Sequence, residues 1–254
     1  MKRSAVSPIF LGVIVVTIGG ALLCTVGSSA AATAGTVLLV LGGWGIALCL
    51  HEFGHAIVAY KGGDFSVRSK GYLNLDPRRY TDPVFSLLLP ILFLLIGGIP
   101  LPGGAVWINH YAIRSKKVDS LVSLAGPLSN LVIGILLSEV VGAIWPDTLS
   151  GLSSVLAQAL SFLALLQIVA FIINILPIPG LDGWGAIEPW LSPEAKRFGQ
   201  QVRPWAPLVL FAILIGLPGI SGLLYQAADH IFAVFHGNQD LAAFGQNEFF
   251  FWRR

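Results

Sequence analysis

The chain has 254 residues, 55% of them hydrophobic and only 11% charged, with a net charge of +2 and a mean hydropathy of +0.79. Soluble domains carry about 25% charged residues, so this composition excludes one and reads as a multi-pass membrane protein. The small net charge, with its basic residues gathered in a few loops rather than one stripe, also excludes a nucleic-acid partner.

A spanning helix needs about 20 mostly apolar residues. Residues 9–25 form the first candidate, after the basic start Met1-Lys2-Arg3 and before the small-residue tract 28–34. Those three parts also make a signal peptide, but the apolar run exceeds a usual h-region and favours a retained anchor. Residues 36–60 are the second span, ended by Gly62-Gly63. The segment 64–82 is polar and basic and is placed in the cytoplasm by the positive-inside rule. Residues 84–98 are apolar but broken by Pro90 and Gly97-Gly98, with basic flanks on both sides, and read as a re-entrant hairpin. Its glycines and prolines, on to Trp107, make it the expected gate for water and substrate. Residues 121–145 leave the cytoplasm and 152–176 return. The loop 188–203, with Lys196, Arg197 and Arg203, is cytoplasmic again, and 207–225 leaves once more with a break near Gly216-Leu217-Pro218-Gly219. The tail from 226 reads as interfacial. The expected fold is therefore an all-α polytopic membrane protein of about five to six spans with one hairpin. No polar stretch is long enough to fold alone, so 1–254 reads as one integral-membrane domain with a core at about 36–183.

Inside the second span lies His51-Glu52-Phe53-Gly54-His55. Ionisable groups at membrane depth are costly, about 2.5–3.5 kcal/mol for a charged residue on insertion scales, and by default mark a functional site. Residues four apart share a helix face, so His51 and His55 can turn their imidazoles to one metal ion, while Glu52 reaches a water at its open position. Cys24 and Cys49 lack metal or redox spacing and read as small buried hydrophobes. The span 152–176 also runs inward and ends in Asn174-Ile175-Leu176-Pro177-Ile178-Pro179-Gly180-Leu181-Asp182-Gly183. This puts Asp182 at a depth like that of the histidines, on backbone that the prolines keep irregular, as expected only where the chain lines a cavity. Two histidines and a carboxylate make a catalytic zinc set, so Asp182 is the expected third ligand. Gln167 and Asn174, seven apart, share a face leading to the same site.

The H-E-F-G-H helix, Ala125-Gly126-Pro127-Leu128-Ser129-Asn130 opening a later span, and the segment 174–183 resemble, in order, three signatures of the site-2 protease family. Gly71-Tyr72-Leu73-Asn74-Leu75-Asp76-Pro77, followed by Thr81-Asp82-Pro83, resembles its compact bacterial branch without a PDZ or CBS domain. The resemblance implies one zinc ion on His51, His55 and Asp182, Glu52 as general base, Asn174 near the substrate carbonyl, and intramembrane proteolysis of a single-pass membrane protein. Asn130 is expected near the site in a supporting role, with a helix–helix hydrogen bond as the alternative. Gly126 and Pro127 read as residues of close helix approach and helix start. His110, His230 and His236 read as loop or interface residues, Glu139 as outer-interface, and Trp145, Trp184 and Trp205 as interfacial anchors.

Three functions fit these residues: a zinc endopeptidase of the bilayer, with its site in the cytoplasmic half of a bacterial plasma membrane; a silent zinc-binding scaffold; and a metal transporter. Glu52, needed only for chemistry, argues against the scaffold. The outward half offers almost no acidic or histidine positions in series, which argues against the transporter.

Overall fold

A computed structural model describes residues 6–80, 106–144 and 152–253, and among these there is no β-strand. The hairpin expected at 84–98, most of the expected gate and the outer loop at 146–150 fall outside the described residues.

Ser7 caps α1 (Pro8–Leu23) by accepting from the Ile9 N–H, with Pro8 at the first helical position, where its missing N–H costs nothing. Ser28 likewise accepts from the Ala31 N–H and starts α2 (Ser29–Gly62). The second span thus begins seven residues before the expected 36. The small-residue tract is its first turns, because alanine is the best helix former and a serine stands where the cap is needed. The two helices cross at glycines: a Cβ on Gly35 would fall 2.8 Å from the carbonyl oxygen of Gly20. In lipid, where apolar burial gives no drive, such close backbone approach is what holds helices together.

The segment after α2 is not a free polar loop. It folds into α3 (Ser66–Ser69), a 3₁₀ turn (Tyr72–Asn74) and α4 (Pro77–Tyr80), with Val67 and Tyr72 buried beside Phe10, Ala56 and Ala59. Asp76 orders its far end through Arg78, whose Nη2 donates to the carboxylate at 2.9 Å.

The third long helix, α5 (Lys116–Ile144), begins five residues earlier than expected and carries Pro127 in its interior. Gly126-Pro127 therefore opens no span. The helix instead starts at a polar, basic turn whose N–H groups water can satisfy. The next helix, α6 (Leu152–Ile175), is mostly buried, and α7 (Asp182–Ile187), α8 (Pro193–Val202), α9 (Ala206–Gly216) and α10 (Pro218–Val234) follow. The break between α9 and α10 falls at Leu217, where the sequence placed it. Three described helices, α2, α5 and α6, are long and apolar enough to cross a membrane; α8 with α9, bent by 61°, would be a fourth. The structure is thus the expected all-α polytopic membrane protein, although α1 is short for a span at 16 residues.

The tail is helical and packed. After α10, the helix α11 (Gln239–Phe249) lies on α6, with Leu241, Ala242 and Phe249 buried. Gly245 packs against the Gln158 carbonyl, the rings of Phe249 and Phe162 are 5.6 Å apart, and Thr33 hydrogen-bonds Glu248. The apolar positions of this short helix form a packing face, which its mixed composition concealed.

Candidate metal centre

Three elements build the centre. Helix α2 presents His51, Glu52 and His55, all buried. The chain leaves α6 at Ile175 because Pro177 cannot donate to a continuing helix and Pro179 follows it. It then turns through Gly180, at φ +100°, and enters α7 at Asp182. Gly183 lets α7 start directly on the end of α6, since a Cβ there would collide with the Ile175 carbonyl.

The three expected ligands converge. His51 Nε2 lies 3.1 Å from Asp182 Oδ2, His55 Nε2 lies 3.4 Å from Asp182 Oδ1, and the two Nε2 atoms are 3.1 Å apart. Their ligand atoms all lie within 4.8 Å of one another. His55 Nδ1 is 2.7 Å from the Val122 carbonyl oxygen. A carbonyl only accepts, so Nδ1 carries the proton and the Nε2 lone pair is free to point at a metal, the usual support for a ligating histidine. Two imidazole nitrogens and a carboxylate meeting at one point is the donor chemistry of a zinc site.

Gly126 of α5 closes the back of the site, because a Cβ there would run into both His51 Nε2 and His55 Nε2. The sequence reading of close approach holds, but the partner is the imidazole pair. A turn further along, the buried Asn130 has no hydrogen-bond partner for its Oδ1 among the described residues. The same holds for Gln167 Nε2 on α6.

A cavity of about 290 Å³ opens beside the three ligands. Glu52 and Asn174 line it, so Asn174 does face the site, whereas Asn130 and Gln167 are not among its lining residues. It is also lined by residues that no local sequence signal assigned to it: His110, Glu188 and Arg203, with Trp184. His110 is a loop residue as expected, but it borders the cavity and its Nδ1 is 2.6 Å from Asp119 Oδ1. That hydrogen bond raises the His110 pKa above its ordinary value, outweighing burial. Trp184 is half-buried and packs on Gly199. His236 pairs with Glu139 at 3.0 Å, both exposed. The two cysteines are buried, as their sequence reading expects.

One further strand of chain completes the wall. Residues 106–109, without regular secondary structure, lie beside α2, and the Val106 N–H donates to Glu52 Oε2 at 3.2 Å. Lys70 Nζ donates to the Trp107 carbonyl at 2.8 Å, and the Asn109 N–H donates to Asp64 Oδ2 at 2.8 Å. Asp64 is 1% exposed. Burial pushes its carboxyl up, but the hydrogen bonds from Ser66 and Asn109 outweigh this and hold it below the usual carboxylate range.

Among known proteins the chain is similar to "Putative zinc metalloprotease Rip2" of Mycobacterium tuberculosis, 41% identical over 97% of this chain and 94% of the relative. The protein of that name from Mycolicibacterium smegmatis is 43% identical over 82% of this chain and 80% of its own. "Putative zinc metalloprotease YwhC" of Bacillus subtilis is 31% identical over 75% and 87%. No protein-family model and no solved structure matches.

Proposed function

The chain belongs to the family of zinc metalloproteases that these bacterial relatives represent, and from that premise we propose that it is a site-2 protease-like intramembrane endopeptidase cutting a single-pass membrane protein within or near its span. The observation that carries this reading is the meeting of His51, His55 and Asp182, from α2 and α7, beside a buried carboxylate that none of the three ligand positions needs. A zinc ion held there, one per chain, would supply an acidic water, of pKa about 7, and polarise a peptide carbonyl.

The chain's own residues do the rest. Glu52 takes the proton of the attacking water and delivers it to the departing amine. Asn174, with an uncharged amide donor on the cavity wall, hydrogen-bonds the substrate carbonyl oxygen as negative charge develops on it. Asn130, buried on α5 one turn from Gly126, has a supporting role. The cavity provides the water that hydrolysis at membrane depth needs. The basic segments at 64–82 and 188–203 support a cytoplasmic mouth in a bacterial plasma membrane.

Glu52→Gln tests the reading, because it keeps size and hydrogen bonding but cannot accept a proton. Zinc content should stay at one per chain while cleavage of a reconstituted membrane substrate falls by about 10²–10⁴-fold. Equal turnover by the variant would exclude this mechanism. A membrane-proteome comparison of wild-type and Glu52→Gln cells should show the substrate accumulating as an uncut single-pass protein.

A further inference from the structure

We propose that Asp64 is a positioning residue for Glu52, acting through the segment 106–109. The proposal rests on the proteolytic reading given above.

Asp64 stands just past the end of α2, three helical turns from Glu52, and its two carboxylate oxygens have separate duties. Oδ1 accepts from the Ser66 N–H at 2.9 Å and the Ser66 hydroxyl at 2.6 Å, which fixes the side chain. Oδ2 accepts from the Asn109 N–H. Lys70 holds the middle of the same segment through the Trp107 carbonyl. The segment is thereby held beside α2 and pinned at its far end, and its near end delivers the Val106 N–H to Glu52 Oε2. Val106 and Ile108 line the cavity, so the pinned segment is also part of its wall.

The chemical consequence follows from what a general base needs. A glutamate side chain has three rotatable torsions, and a base that wanders spends little time within reach of the proton it must take. A backbone N–H is a rigid donor, so holding Oε2 fixes the carboxylate plane and leaves Oε1 as the oxygen that receives the proton. A buried carboxylate anchoring a backbone is otherwise a means of stabilising a loop, but here that loop ends on a catalytic oxygen. The effect of Asp64 should therefore appear in the rate of chemistry, with substrate binding and zinc content unmoved.

Two substitutions break the clamp from opposite sides. Asp64→Ala removes the acceptor. Asn109→Pro removes the donor, at a residue whose φ of −87° lies near the proline range. In the zinc-loaded full chain, each should lower kcat about 10-fold or more, with KM within about 2-fold, and the double variant should lose no more than either single, as for residues acting as one unit. Asp64→Asn, which keeps an acceptor for the Asn109 N–H, should recover most of the loss. Amide hydrogen exchange reads the clamp without any substrate: residues 106–109 should exchange faster in Asp64→Ala at full zinc occupancy. Unchanged exchange at 106–109 in Asp64→Ala, or full kcat with faster exchange, overturns the proposal. A loss of zinc or a rise in KM that accounts for the whole loss of activity also overturns it, since Asp64 would then be structural. Wild-type and Glu52→Gln proteins cleaving equally would instead refute the proteolytic reading, while the exchange measurement still decides whether the clamp exists.

Discussion

At the scale of single residues, the centre is defined by what fits against two imidazoles. Replacing His51, His55 or Asp182 by Ala should deplete zinc, measured by elemental analysis of the purified protein, and full occupancy in Asp182→Ala would remove that residue from the ligand set. Gly126 makes a less obvious prediction. The position of its missing side chain is taken by the two Nε2 atoms, so Gly126→Ala should weaken zinc binding by the about 10–100-fold typical of disturbed ligand support, although alanine suits a helix better than glycine. His110 carries the pH dependence. Its pairing with Asp119 raises its pKa, so this contribution to stability is fully present below the ordinary histidine value near 6.5 and fades as pH rises through the higher folded value. A histidine-resolved NMR titration should place the His110 midpoint above the ordinary histidine value, and Asp119→Asn should bring it down.

Among the elements, the long apolar helices and the broken one were legible because lipid demands continuous apolar runs and closed hydrogen-bond ladders. The histidine helix was legible because a motif of spacing four on one face needs no tertiary information. The starts of α2 and α5 were misjudged by a few residues, since Ser28 and the basic turn at Lys116 decide them and hydropathy does not register caps. Part of the cavity lining was hidden for another reason: His110, Glu188 and Arg203 come from three separate elements, and no local pattern announces that they meet. The same is true of α11, whose place is decided by glycine and phenylalanine contacts with α6. Gly245 leaves no room for a side chain against the Gln158 carbonyl, so Gly245→Val should detach α11 and lower the melting temperature, read by circular dichroism. Gly183→Ala should act on the centre instead, pushing α7 off the end of α6 and displacing Asp182, with zinc loss ahead of any loss of helix.

For the molecule as a whole, orientation is the first question. Cysteines placed at 70 and 196, with Cys24 and Cys49 removed, should react with a membrane-impermeant thiol reagent in inverted membrane vesicles and not in intact spheroplasts. Labelling from outside would invert the topology and move the centre to the other leaflet. The placement of the ligands has a thermodynamic consequence of its own. Two of them stand at 51 and 55 and the third at 182, so a bound ion ties together parts of the chain that are far apart in sequence, as a cross-link closing a very long loop does. An unfolded chain offers no such set of donors, and any ligand that binds only the folded form shifts the equilibrium toward it, by about 4 kcal/mol at a thousandfold excess over Kd. The ion that serves as reagent is then also a fastener: a chelator should lower the melting temperature of Glu52→Gln as far as that of the wild type, and restoring zinc should raise both again. Starvation of the cell for zinc would in that case remove the protease by unfolding it, before any shortage of catalysis was felt.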